Sequence, residues 1–277
     1  MRGGSCAAVK YISSRDNPTF KELKSLADDI REKRRQGRAL LDGIHLVAAY
    51  CDKIGPPERL ILSEHGAAQP EIRALRDSLS DGEILLLRDR LFRELSDLAS
   101  PTGVCAVIRV PPVSPSDIIG SCILLDALQD PGNVGAILRT AAAAGIADVF
   151  LGPGCAGVWA PRVLRAAQGA HFDLRLREQS DLSAIVESFS GPTIAAVARG
   201  GESLYEQDLT GNVAWLLGSE GGGVSPRLLA AAKKRICIPM AGGSESLNVA
   251  VATAICLFEE VRQKSHSRRP PAVSRET

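Results

Sequence analysis

The sequence predicts an α/β protein of two unequal domains, the larger built on a mostly parallel sheet with helices on both faces. From Ser121 onward, apolar strand-like runs alternate with segments of helical spacing, the pattern that parallel sheets impose. The first third carries its own shorter series of strands and helices. Between them stand Pro111, Pro112 and Pro115, a cluster that neither a ladder nor a helix accommodates. A chain of 277 residues is long enough for two such cores. The expected divisions are a smaller α/β domain over 1–112, a linker over 113–120, the larger domain over 121–264, and a polar, proline-containing tail over 265–277.

The first helix is expected over 17–36. Asn17 is a suitable N-cap and Pro18 suits the first helical position, while Phe20, Leu23, Leu26 and Ile30 recur at helical spacing before Gly37. Strands are expected over 38–42, 59–62, 83–87 and 104–110, with helices over 44–51, 71–78 and 89–98. In the second domain the strands fall at 122–128, 148–151, 193–198, 213–217 and 236–240. Helices are expected over 134–144, closed by Gly145, then over 161–168, over 182–189 behind Ser180, over 226–234 behind Ser225, and over 247–263.

Composition narrows the class. No apolar run approaches the roughly 20 residues of a membrane-spanning helix, and the N-terminal MRGGSCAAVKY has no apolar core of the signal-peptide kind. Seven scattered cysteines with no C-x-x-C pair fit neither a disulfide framework nor a zinc site, and His45, His65, His171 and His266 are dispersed. No metal is expected, and a reducing cytoplasm is the natural setting. Net charge is only +1, yet residues 1–40 hold ten Lys or Arg against five Asp or Glu. The cluster of Arg31, Lys33, Arg34, Arg35 and Arg38 is either a phosphate-binding patch or a solvated helix face.

Ligands of open parallel sheets bind at the carboxyl ends of strands, and three strand-to-helix loops of the second domain are polar and glycine-rich. The first is DPGNVG at 130–135. Its Asn133 stands at a helix entrance, where a simple N-cap would also place it. Arg139 follows on an otherwise alanine-rich helix, where a lone charge needs an anion or an opening to solvent. The second is LGSEGGGVS at 217–225, whose consecutive glycines allow close backbone approach to a ligand and which contains Glu220. The third is AGGSESLNV at 241–249. Ser246 and Asn248 suit helix caps and ligand contacts alike. A dinucleotide-binding dehydrogenase is disfavoured, because DPGNVG lacks the G-x-G-x-x-G spacing.

Taken together, DPGNVGAILRTA (130–141), LGSEGGG (217–223) and IPMAGGSESLNVAVATA (238–254) resemble, in order and spacing, the three motifs of the SpoU/TrmH branch of the SPOUT RNA methyltransferases. The resemblance spans about residues 120–262. The first domain is more loosely similar to that branch's RNA-binding domain. The resemblance implies a C-terminal trefoil knot, a homodimer, and S-adenosylmethionine as methyl donor for an RNA ribose 2′-hydroxyl. It implies donor contacts at Gly218, Ile238, Met240 and Leu247 and catalytic positions at Asn133, Arg139, Glu220, Ser246 and Asn248. A guanidinium is a poor base at neutral pH, so Arg139 is expected to hold phosphate and stabilise alkoxide charge. Ribosomal RNA is the expected substrate, with transfer RNA or non-catalytic RNA binding as alternatives.

Overall fold

The computed structural model describes residues 9–29, 36–79, 82–113, 118–242 and 245–267. The chain divides into two compact units, Met1–Pro112 with Trp159–Phe172, and Val113–Val158 with Asp173–Thr277. The larger domain expected from the sequence runs unbroken, whereas here the excursion Trp159–Phe172 groups with the first unit. Leu164 explains the grouping, since it is buried among Leu41, Val47, Leu60 and Ile108 of that unit.

The first unit holds β1 (Val9–Ile12), α1 (Pro18–Asp28), β2 (Arg38–Asp42), α2 (Ile44–Lys53), β3 (Arg59–Ser63), α3 (Glu64–Ala67), α4 (Pro70–Ser78), β4 (Glu83–Leu87), α5 (Asp89–Leu95) and β5 (Val104–Arg109). Its sheet runs β1-β4-β3-β5-β2, with β5 antiparallel to both neighbours. One face buries Phe20, Leu23 and Leu26 of α1, the face that helical spacing marked. Asn17 does cap α1, its side chain accepting from the Thr19 N–H at 2.9 Å. The edge strand β1 was not anticipated, since a four-residue run lying wholly exposed but for Ile12 carries no alternating signal. Of the basic cluster, Arg31, Lys33, Arg34 and Arg35 lie outside the described residues. Arg38 is bound to Glu22 at 3.1 Å and to Glu58 at 2.7 Å, a cross-link within the unit.

The second unit holds β6 (Cys122–Asp126), α6 (Pro131–Ala143), β7 (Asp148–Leu151), β8 (Arg175–Arg177), α8 (Leu182–Ser188), β9 (Thr193–Ala196), β10 (Glu202–Ser203), β11 (Ala214–Gly218), α9 (Pro226–Ala231), β12 (Lys234–Cys237) and α10 (Val249–Ser267); α7 (Pro161–Ala167) belongs to the first unit's excursion. The seven strands, ordered β10-β12-β9-β11-β6-β7-β8, are parallel at every pairing. Chain order reverses beside β6, the kind of switch point where parallel sheets open a crevice. Three details differ from the sequence expectation for local reasons. Asp181, not Ser180, caps α8. Strand β6 stops at Asp126 because Ala127 turns left-handed at φ 53°. Strand β12 spans Lys234–Cys237 and not 236–240; Pro239, which lacks an N–H, cannot extend the ladder. Ile238 and Met240 are thereby released into a loop.

Two buried polar clusters hold this unit. Glu260 accepts from the buried Trp215 indole and from Ser121 Oγ, and Lys264 Nζ lies 2.6 Å from the same carboxylate. This ties α10 to β11 and so fixes the helix whose entrance carries Asn248. At the other end, fully buried Asp148 accepts from Arg175 Nε at 2.8 Å and from Arg177 at 2.7 Å. Burial pushes the Asp148 carboxyl up, but the hydrogen bonds and charges of Arg175 and Arg177 outweigh it and hold the group below its usual range. The stabilisation is therefore present above the ordinary carboxylate range and lost as pH falls through the lowered value. Asp148→Asn should cost about 3 kcal/mol in urea unfolding at pH 7, by leaving two partly buried guanidiniums without their counter-charge. A loss under about 0.5 kcal/mol, the range of an ordinary surface change, would remove that role.

Candidate active site

The carboxyl ends of β9, β11 and β12 and the loops leaving them enclose a cavity of roughly 730 Å³. Gly218, Glu220, Ile238, Met240, Ser246, Leu247 and Asn248 all line it. Seven of the nine residues singled out from the sequence thus come to one place, although they derive from two separate loops.

The glycine loop closes on itself. Ser219 N–H donates to the Gly223 carbonyl at 3.1 Å and Gly223 N–H returns to Ser219 at 2.9 Å. At Gly218 an added Cβ would lie 2.0 Å from the Gly223 carbonyl carbon and from the Val224 nitrogen, so only glycine fits there. Asp126, at the end of β6, accepts from the Ser225 N–H at 2.7 Å and anchors the far end of the loop.

Asn133 is not a cap. Helix α6 begins at Pro131 with Asp130 as its N-cap, and Asp130 Oδ1 accepts from the Asn133 N–H at 2.7 Å. The Asn133 side chain, one turn inside, is thereby available to bridge two loops. Its Nδ2 donates to Glu220 Oε1 at 2.9 Å, and its Oδ1 accepts from Asn248 Nδ2 at 2.9 Å. Asn248 also serves as a cap, its Oδ1 accepting from the Ala250 N–H at 2.9 Å at the entrance of α10. One chain of side-chain hydrogen bonds thus links the first, second and third loops.

Glu220 is the charged member. Partial burial raises its carboxyl, but the Asn133 amide and the backbone N–H groups of Glu220 itself, Asp130 and Gln129 outweigh that and bring the net shift below the ordinary carboxylate value. A carboxylate held this way is a weak proton acceptor and a firm anchor. The sign follows: Glu220 stays ionised above the usual carboxylate range, and the network loosens only as pH falls through the lowered value. Ligand affinity at this cavity should therefore be flat between about pH 5.5 and 7 by calorimetry, below the range in which a ligand's α-amino group titrates. A drop centred near neutrality would mean that Glu220 titrates there instead.

Arg139 stands apart. It is exposed on α6 and has no hydrogen bond or ion pair among the described residues. It is open to solvent, as a lone charge on an apolar helix requires, and available to an external anion. Sequence reasoning missed Asp126 and Asp130, the residues that position the loops; a carboxylate at a strand end followed four residues later by Asp-Pro is the signal that marked them. It also missed Arg199 and Glu245, which line the cavity.

The cavity suits an adenosyl donor. Its volume falls within the roughly 300–1,000 Å³ usual for small-ligand sites. Leu217, Ile236, Ile238 and Leu247 offer apolar surface to a ring, and the glycine-lined backbone offers close approach. No group of three His, Cys, Asp or Glu able to hold a metal occurs among the described residues.

Comparison with known proteins agrees. Residues 120–258 match the model of the SpoU rRNA Methylase family, and residues 17–106 match an MRM3-like substrate binding domain. The chain is 30% identical over 252 residues to the 23S rRNA (guanosine(2553)-2′-O)-methyltransferase RlmP of Bacillus subtilis, covering 90% of this chain and 98% of that one. It is 34% identical over 247 residues to the 23S rRNA (guanosine-2′-O-)-methyltransferase RlmB of Escherichia coli K12, covering 82% and 99%. A solved TrmH-family chain from Porphyromonas gingivalis superposes with a TM-score of 0.78 at 32% identity, covering 90% and 98%. Fold and site together are those of an S-adenosylmethionine-dependent RNA ribose methyltransferase. The chain belongs to the SpoU rRNA methylase family.

Proposed function

We propose that this enzyme methylates a guanosine ribose in ribosomal RNA, with the donor in the glycine-lined cavity and the acceptor held by Arg139 and the Asn133 network. The observation that carries the reading is the side-chain chain Asn248–Asn133–Glu220, which sets a rigid polar wall at the cavity. When bound, the donor supplies an electrophilic methyl on sulfonium sulfur. The protein's task is to orient the poorly nucleophilic 2′-hydroxyl. Gly218, Ile238, Met240 and Leu247 are the proposed donor contacts, and Ser246 with Asn248 the proposed ribose contacts. Arg139 binds the adjoining phosphate bidentately and stabilises developing negative charge on the 2′-oxygen. Glu220 holds Asn133 and takes no proton.

The named 23S rRNA relatives support ribosomal RNA over transfer RNA. The match of residues 17–106 to a substrate binding domain supports the first unit as the RNA reader. The trefoil threading is part of this proposal and rests on the family match over residues 120–258. Val251 and Phe258, each 49% exposed and seven residues apart on α10, support a homodimer closed over that face. No helix among the described residues is long and apolar enough to cross a membrane, and cytoplasmic action on ribosomal RNA is the proposed setting. Incubation with unmodified ribosomal RNA and transfer RNA in parallel, followed by mapping of 2′-O-methyl sites, tests the substrate. One ribosomal site is expected; methylation confined to transfer RNA would overturn the reading.

A further inference from the structure

The cavity has a charged rim outside the network already described. Arg199, on the loop leaving β9, and Glu245, on the loop leaving β12, form an ion pair at 3.2 Å. Both line the cavity, and both side chains remain mostly exposed, at 73% and 85%. The only other charged lining residue is Glu220, which is turned to Asn133, so Arg199 is the one cation among the described lining residues.

We propose that this pair reads the amino-acid end of the donor, Arg199 taking its α-carboxylate and Glu245 its α-ammonium. An amino-acid zwitterion carries opposite charges on one carbon, so an adjacent cation and anion on facing loops complement it in both signs. An exposed ion pair contributes little to stability and opens readily to admit a ligand. A guanidinium also matches a carboxylate bidentately, which an ammonium does not. The apolar lining, Leu217, Ile236, Ile238 and Leu247, has no charge to offer, so discrimination for the amino-acid end falls to the rim. The inference rests on the donor site proposed above and adds to it two specificity-determining residues.

Calorimetry with two probes tests it. S-Adenosylhomocysteine carries the amino-acid end; 5′-deoxy-5′-methylthioadenosine keeps the adenosine and sulfur and lacks that end. Arg199→Gln and Glu245→Gln should each weaken S-adenosylhomocysteine about tenfold while leaving methylthioadenosine within about twofold. Unchanged homocysteine-probe affinity would reduce the pair to a surface contact. Equal weakening of both probes would make it a loop support. Either result overturns the inference while the donor site stands. If the unmodified protein binds neither probe at millimolar concentration, the donor site itself falls.

Discussion

Gly218→Ala should abolish useful donor binding while both units stay folded. The added methyl would meet backbone, at 2.0 Å from Gly223 and Val224, and no flexible side chain is there to yield. The loop must open, breaking the reciprocal Ser219–Gly223 bonds and straining the Asp126 anchor at Ser225. Overpacking of a site that cannot relax costs about 1–3 kcal/mol. Because the displaced loop is the cavity wall, donor affinity should fall about 100-fold, a loss of about 2.7 kcal/mol. Gly211→Ala is the matched control, since nothing lies within 4 Å of its added Cβ. Calorimetry and urea unfolding on both variants give the readout. Donor affinity within twofold of the unmodified protein in Gly218→Ala would show that the closed loop is not the binding wall.

Arg139→Ala should separate chemistry from donor binding. The side chain is exposed and, among the described residues, unpartnered, so its removal should change stability by no more than about 0.5 kcal/mol. Stabilisation of developing oxyanion charge is worth about 10²–10³ in rate. Single-turnover methyl transfer should fall by that factor with S-adenosylhomocysteine affinity unchanged. Arg139→Lys should recover only part of it, because an ammonium lacks the planar two-point fork. Full activity in Arg139→Ala would remove the phosphate and alkoxide role.

The fold was legible wherever the chain had to bury something. Alternation of period and the proline cluster outlined both α/β units, and the strand-to-helix loops pointed to the working end of the parallel sheet. The exposed edge strand β1 and the short β8 and β10 were not legible, because two to four residues carry too little periodicity. The excursion Trp159–Phe172 was hidden for another reason: Leu164 looks like any core leucine, and nothing local says which core it enters.

At the site, residue types were readable and connections were not. Asn133 could be a cap or a ligand until Asp130 proved to be the cap, since Asp-Pro places the helix start three residues earlier than apolar spacing alone suggests. The Asn133–Glu220 bond spans 87 residues and the Asn133–Asn248 bond 115, beyond any local pattern. Arg199 sits in a loop with no motif of its own and Glu245 in the third glycine-rich loop, and only adjacency of β9 and β12 brings them together.

The central claim is that the constellation around Asn133 and Arg139 delivers the donor's methyl to a ribose oxygen. Transfer from methyl-labelled S-adenosylmethionine to unmodified ribosomal RNA, with complete digestion and mass analysis of the nucleosides, tests it most directly. Label is expected in 2′-O-methylguanosine and lost in Arg139→Ala. Label in a base-methylated nucleoside, or undiminished ribose label in Arg139→Ala, would contradict it.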